Sequence, residues 1–141
     1  MNAHIKRQTM ICAALAVAVH AGQFRRDKKT DYYEGHVKKV AQQFSVENEW
    51  REHCAAQLHD VIEDSNTTEQ DLLNLGVDKE VIAAVVVLTK NKGQDYTEYI
   101  KKVKSNKIAR RVKIADIFAN INDAPTKKQK AKYLKALSIL C

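Results

Sequence analysis

The chain has 141 residues, 45% of them hydrophobic, which suits one core-bearing domain spanning residues 1–141 and is too short for two. One Pro and four Gly among plentiful Ala, Leu, Lys, Glu and Gln point to an all-α protein, a single helical bundle rather than a turn-rich β architecture. A formal charge of +7 calls for an anionic partner: nucleic acid, an acidic membrane surface or a multiply phosphorylated small molecule. Cys12, Cys54 and Cys141 are odd in number and lack CxxC spacing, which argues against a disulfide framework or thiolate zinc site and fits a reducing cytoplasm.

The first predicted element runs from about Thr9 to Ala21. Within "KRQTMICAALAVAVHA" the basic start and apolar run imitate a secretory signal, but the run is Ala-rich rather than Leu-rich, and a first core helix is the preferred reading. No segment is long enough to span a membrane. Gly22 to Asp31, including "RRDKK", reads as a charged loop. Tyr33 to Phe44 carries Tyr33, Val37, Val40, Ala41 and Phe44 at helical spacing, which sets His36 beside the buried stripe.

Glu47 to Asp64 repeats that spacing with Trp50, Cys54, Leu58, Val61 and Ile62, so His59 to Asp64 fall near the end of one helix. Thr67 and Gln70 suggest a capping box for a short helix to Leu75, ended by Gly76. Asp78 then caps "KEVIAAVVVLTK", whose β-branched run would also suit a strand; a lone strand has no partner, so a buried helix is expected. Helices follow over Tyr96 to Val103 and Lys107 to Ile121, the latter with Ile108, Val112, Ala115, Phe118 and Ala119 on one side and Asp116 close to it. Pro125 suits the first turn of a last helix, Thr126 to Leu140.

"LHDVIEDS" packs four ionisable side chains into positions 59 to 64. On a helix, His59 and Glu63 share one face and Asp60 and Asp64 the adjoining one. The first pair of neighbours, His59 and Asp60, can converge on a cation, and Glu63 and Asp64 can reach a water beside it. The alternative is a frayed acidic turn, which the helix dipole disfavours. His36 and Asp116, set within apolar stretches, are the candidates to complete a nitrogen and oxygen ligand set suited to Mn²⁺, Fe²⁺ or Zn²⁺ in hydrolysis.

Four segments in order, "HAGQFR…DYYEGH" (His20 to His36), "HDVIED", "VLTK" (Val87 to Lys90) and "KIADIFANI" (Lys113 to Ile121), resemble the HD-domain hydrolases of the small alarmone type, the stand-alone and metazoan SpoT-like enzymes. The resemblance covers about Val17 to Ile121. It implies an α-helical HD-domain bundle, one manganese ion, Mn²⁺, and removal of the 3′-pyrophosphate from guanosine tetra- or pentaphosphate. By position it implies His36, His59, Asp60 and Asp116 as metal ligands, and Glu63 and Asp64 as the acidic pair acting on the attacking water. Arg25, Arg26 and Asn120 become the substrate-binding residues. Tyr32 stands where the family has Pro, and Ile117 where it generally has Arg or Lys; neither is expected to touch a ligand, though the second leaves substrate identity open.

His20 reads as a helix-end histidine with a local hydrogen bond, or else as a pocket residue. His4 and His53 show no partner pattern, and the cysteines read as core or surface thiols. The expected partner is a polyphosphorylated nucleotide rather than a membrane or nucleic acid, with homo-oligomerisation open. Two competing functions remain: an HD phosphohydrolase for an adenosine alarmone or the phosphate of NADPH, and a basic nucleic-acid-binding protein with an incidental HD motif. "KKVKSNKIARRVK" (Lys101 to Lys113) could serve the latter or be solvated surface.

Overall fold

Most helices of this chain begin where a side-chain oxygen accepts an otherwise orphaned backbone N–H. The computed structural model describes all residues, Met1–Cys141, and contains helices without strands. Asn2 accepts from Ile5 N and starts α1, Ala3–His20, so the helix begins a turn and a half before the expected Thr9. A π-helical turn, Tyr33–Val37, runs into α2, Lys38–Ala41. α3 is Trp50–Leu58, α4 Glu69–Asn74, α5 Lys79–Leu88, α6 Tyr96–Lys104, α7 Lys107–Ile121 and α8 Lys127–Leu140. Asp78, Asp95, Asn106 and Thr126 cap the last four.

Several expected boundaries move, each for a local reason. Thr68, not Thr67, caps α4, because Asp71 reciprocates by accepting from the Thr68 N–H at 2.9 Å while Thr67 is bonded to Ser65. Pro125 lies outside α8, before its cap, where Thr126 and Gln129 form the capping box. The segment expected to be one helix to Phe44 stops at Ala41. The helix expected to reach Asp64 stops at Leu58, and residues 59–64 continue as turns joined by Val61 N to Leu58 O and Asp64 N to Asp60 O. The β-branched run does form a helix, α5, with Val81, Ile82, Ala84, Val85 and Leu88 buried.

α3 is the hub. Its residues His53 to Leu58 are all buried, and small Cys54, Ala55 and Ala56 let α1, α2, α5 and α7 approach closely. Around it lies one apolar core of 25 residues, including fully buried Leu72, Val85, Ile100, Val103, Val112 and Leu140; each such side chain contributes about 1.5–3 kcal/mol. α7 buries Ile117 and leaves Phe118 48% exposed, so its apolar face is turned by one residue from the expected stripe. No helix is long and apolar enough to cross a membrane; the signal-like run forms the buried face of α1, with Cys12, Ala16 and His20 inside.

The basic loop between α1 and the π turn is a small hairpin rather than a slack segment. Phe24 and Asp31 form an antiparallel bridge, and Arg25 N donates to Thr30 O at 2.8 Å. Asp27 accepts from Lys29 N, Thr30 N and the Thr30 hydroxyl. A Cβ on Gly35 would lie 2.4 Å from Thr30 Cγ2, so only glycine lets the π turn sit against this hairpin.

Candidate metal centre

Three segments bring the central residues to one point: the π turn supplies His36, the turn after α3 supplies His59 and Asp60, and α7 supplies Asp116. Ligand atoms of His36, His59 and Asp60 lie within 4.8 Å of one another. Asp116 adjoins them, its Oδ1 being 2.9 Å from His36 Nε2 and 3.5 Å from His59 Nε2. Asp60 Oδ2 lies 3.0 Å from His59 Nε2 and 3.9 Å from His36 Nε2.

The tautomer of His59 follows from its local structure. Its Nδ1 lies 2.6 Å from the Ala56 carbonyl oxygen, which can only accept, so Nδ1 carries the hydrogen and is a second donor to a carbonyl that the His59 backbone N–H reaches at 3.4 Å. Nε2 is then the nitrogen that takes up a proton or a cation, and this buried atom has no hydrogen-bond partner. That orphaned nitrogen, flanked by two carboxylates, fits the donor set of a divalent metal.

The field in the cluster attracts positive charge. Burial opposes ionisation of His59, yet Asp60 and Asp116 hold its imidazole well above the ordinary range. Against the same cost of burial, His59 and His36 keep the Asp60 carboxyl low, and Lys113 does so for Asp116. Lys113 donates to Asp116 Oδ2 at 3.0 Å and lies 5.4 Å from the Tyr99 ring centroid. Sequence patterning assigns Lys113 no role of its own; a Lys set between Val112 and Ile114, three residues before an apolar-face Asp, is the signal it offers.

His36, Asp60, Lys113 and Asp116, but not His59, form one side of a cavity of about 360 Å³. Arg25, Arg26, Lys90, Lys113 and Lys132 line it, together with Phe24, Tyr96, Tyr99, Tyr133 and Asn120. Lys132 stacks 4.1 Å from the Tyr96 ring centroid, and desolvation and the neighbouring lysines push its ammonium down. A larger groove of about 540 Å³ between α4 and α5 has only Glu69 and Lys79 as charged lining groups.

The acidic pair divides. Glu63 lines the cavity and accepts from the Lys90 backbone N–H at 2.9 Å, which ties "HDVIED" to "VLTK". Asp64 does not line it; desolvation and the charges of Asp60 and Glu63 push its carboxyl up to about 6. Arg25 is engaged by Asp123 Oδ2 at 2.6 Å and by Asn120 Oδ1 at 3.1 Å, while Asn120 also donates to Asp116 at 3.3 Å. Arg26 lines the cavity without such ties.

One expectation about the departures fails. Tyr32 does touch a proposed ligand: its hydroxyl donates to Asp60 Oδ2 at 2.5 Å. Burial, together with the Asp60 charge, holds the phenol well above its usual range, so it keeps the proton it donates. Ile117 is fully buried in the apolar core and does not line the cavity. His20 makes the expected local bond, Nδ1 to Gln23 Oε1 at 2.7 Å, and burial pushes its imidazolium down. His53 is a core histidine bonded to the Ala41 carbonyl. In the second basic run, Arg111 pairs with Glu49 and Glu52, Arg110 donates to the Leu140 carbonyl, and Lys101, Lys102, Lys104 and Lys107 are exposed.

No family model matches the chain, and no curated protein matches it. A solved structure does: a metazoan ortholog of SpoT, which hydrolyses ppGpp and plays a role in starvation responses, superposes with a TM-score of 0.74 at 26% identity over 94% of this chain and 83% of its own. This chain has the fold of the SpoT-like HD-domain hydrolases. The resemblance carried by four short motifs therefore extends to the arrangement of the whole bundle. Within that SpoT-like fold the buried His36 and His59 and the half-buried Asp60 form a group that could hold a metal ion.

Proposed function

We propose that this chain is a Mn²⁺-dependent hydrolase that removes the 3′-pyrophosphate from guanosine 3′,5′-bis(diphosphate) or the corresponding pentaphosphate. The observation that carries the reading is the placement of a buried His and Asp cluster beside a cavity lined by five cations. The ppGpp-hydrolysing neighbour of the same fold supports it.

His36, His59, Asp60 and Asp116 would hold the ion. When bound, such a cation lowers the pKa of water from about 15.7 towards about 7 and polarises a phosphoryl oxygen. Glu63, facing the cavity with one oxygen fixed by the Lys90 N–H, is placed to accept the water's proton, and Asp64 backs it with a carboxyl already raised towards neutrality. Arg26, Lys90 and Lys132 neutralise the phosphates; crowding among the lysines is relieved when an anion enters. Arg25 braces Asn120, and through it Asp116, while presenting its guanidinium to the cavity.

The deciding experiment offers the purified protein, with Mn²⁺, guanosine and adenosine alarmones, NADPH, ordinary nucleoside triphosphates and single-stranded nucleic acid. Release of pyrophosphate from the guanosine alarmone is expected, with ordinary triphosphates poor because they lack the 3′ group. Cleavage confined to the adenosine form or to NADPH overturns the base or substrate assignment and keeps the metal chemistry. No cleavage, with salt-sensitive nucleic-acid binding, overturns the enzyme reading.

A further inference from the structure

The hydroxyl of Tyr32 is a feature of the cluster that the motif resemblance does not account for, and it is fixed from several sides. Its backbone N–H donates to Gln23 O at 2.9 Å. Its ring is wedged between His20 and His36, with centroids at 5.0 and 5.6 Å, and the Arg25 guanidinium lies 5.8 Å from its centroid. The hydroxyl thus has little freedom, and it donates to Asp60 Oδ2, the same oxygen that lies 3.0 Å from His59 Nε2.

Asp60 itself lies beyond the last residue of α3, in a turn, with its carboxylate beside the imidazoles of His59 and His36. A carboxylate can present either oxygen, and its terminal torsion is broad. The bond from Tyr32 removes that choice. It occupies one lone-pair direction of Oδ2 and leaves the rest of that oxygen directed between the two imidazoles.

We propose that Tyr32 is a positioning residue for the metal centre: its hydroxyl fixes the carboxylate of Asp60 and so sets how tightly a divalent cation is held. This rests on the metal site of the proposed function. Hydrogen-bond partners of metal ligands govern affinity in this way because an ordered ligand loses less freedom on binding and keeps its donor atom aimed. Tyr33 supplies the contrast. Its hydroxyl donates to Gln57 Oε1 at 3.0 Å, away from the cluster.

The test is titration with Mn²⁺ alone by calorimetry, for the wild-type protein, Tyr32→Phe and Tyr33→Phe, alongside thermal melts without metal. The expected result is a roughly tenfold weaker Mn²⁺ affinity for Tyr32→Phe, with Tyr33→Phe matching wild type. A second measurement uses only the wild-type chain: Mn²⁺ should produce a tyrosine difference absorption as Asp60 is engaged, which keeps the proposal falsifiable if Tyr32→Phe does not fold. Equal affinity in Tyr32→Phe, or full Mn²⁺ uptake by wild type with no tyrosine signal, overturns the role of Tyr32 and leaves the metal centre standing. Failure of the wild-type protein to bind Mn²⁺ overturns both.

Discussion

Two buried regions meet at the end of α3. Up to Leu58 the helix is sealed among Cys12, Val85, Val112 and other apolar neighbours; one residue later begins a cluster of His36, His59, Asp60, Lys113 and Asp116 that is almost as thoroughly removed from water. The first region gains free energy from every buried methylene. The second carries a desolvation cost that its ion pairs do little more than offset. The apolar half of the molecule supplies the stability that holds such a cluster together.

The sharpest separation of the two regions sets Asp60→Ala and Asp116→Ala against Ile100→Ala. The first two should lose both bound Mn²⁺ and hydrolysis, read by elemental analysis after gel filtration and by activity. Ile100→Ala should lower stability by about 2–5 kcal/mol in denaturant unfolding and keep its metal when folded. Full metal in both Asp variants would dissolve the distinction. A middle-sized effect is expected from Glu63→Gln and Asp64→Asn, which keep shape and lose basicity: metal is retained and turnover slows by about 10²-fold or more. Because only Glu63 lines the cavity, a loss confined to Glu63→Gln would assign the proton to that residue alone.

The smallest effect concerns the hairpin packed against the π turn that carries His36. Gly35→Ala drives a Cβ to 2.4 Å from Thr30 Cγ2, and overpacking of this kind costs about 1–3 kcal/mol. Adding Thr30→Ser removes that methyl and keeps the hydroxyl on Asp27. The double variant should regain most of the stability in thermal melts; additive losses would show that the clash is not the cause.

Local signals carried most of the architecture. Asp78 before an apolar run and Gly76 after α4 mark helix ends without outside help, and Gly76 has the positive φ of 85° that its place requires. What the sequence hid depended on contacts across the chain. His59 to Asp64 have helical spacing, but the helix ends at Leu58, where the His59 ring turns back on the Ala56 carbonyl. The bond from Tyr32 to Asp60 joins residues 28 apart, and nothing in the order of the letters aims one at the other. The brace from Asp123 through Arg25 to Asn120 joins residues 98 and 95 apart in the same way. Lys113 is visible as a letter yet passes for surface, because its partner Asp116 has to be buried before the lysine makes sense.

The π-helical turn has a consequence for how the site tolerates change. Lys38 N–H reaches the Tyr33 carbonyl five residues back, one more than in an α-helix. The extra residue acts as an indexing step: α2 is displaced by one position relative to the segment that enters the turn, and one position on an α-helix is about 100° of rotation. Deleting a single residue between Tyr33 and Lys38 would restore regular winding and leave the apolar packing of α2 repairable, but it could not keep both Tyr32 and His36 pointed at the same carboxylates. The site is thus sensitive to a change of length in the π turn as well as to loss of its own side chains.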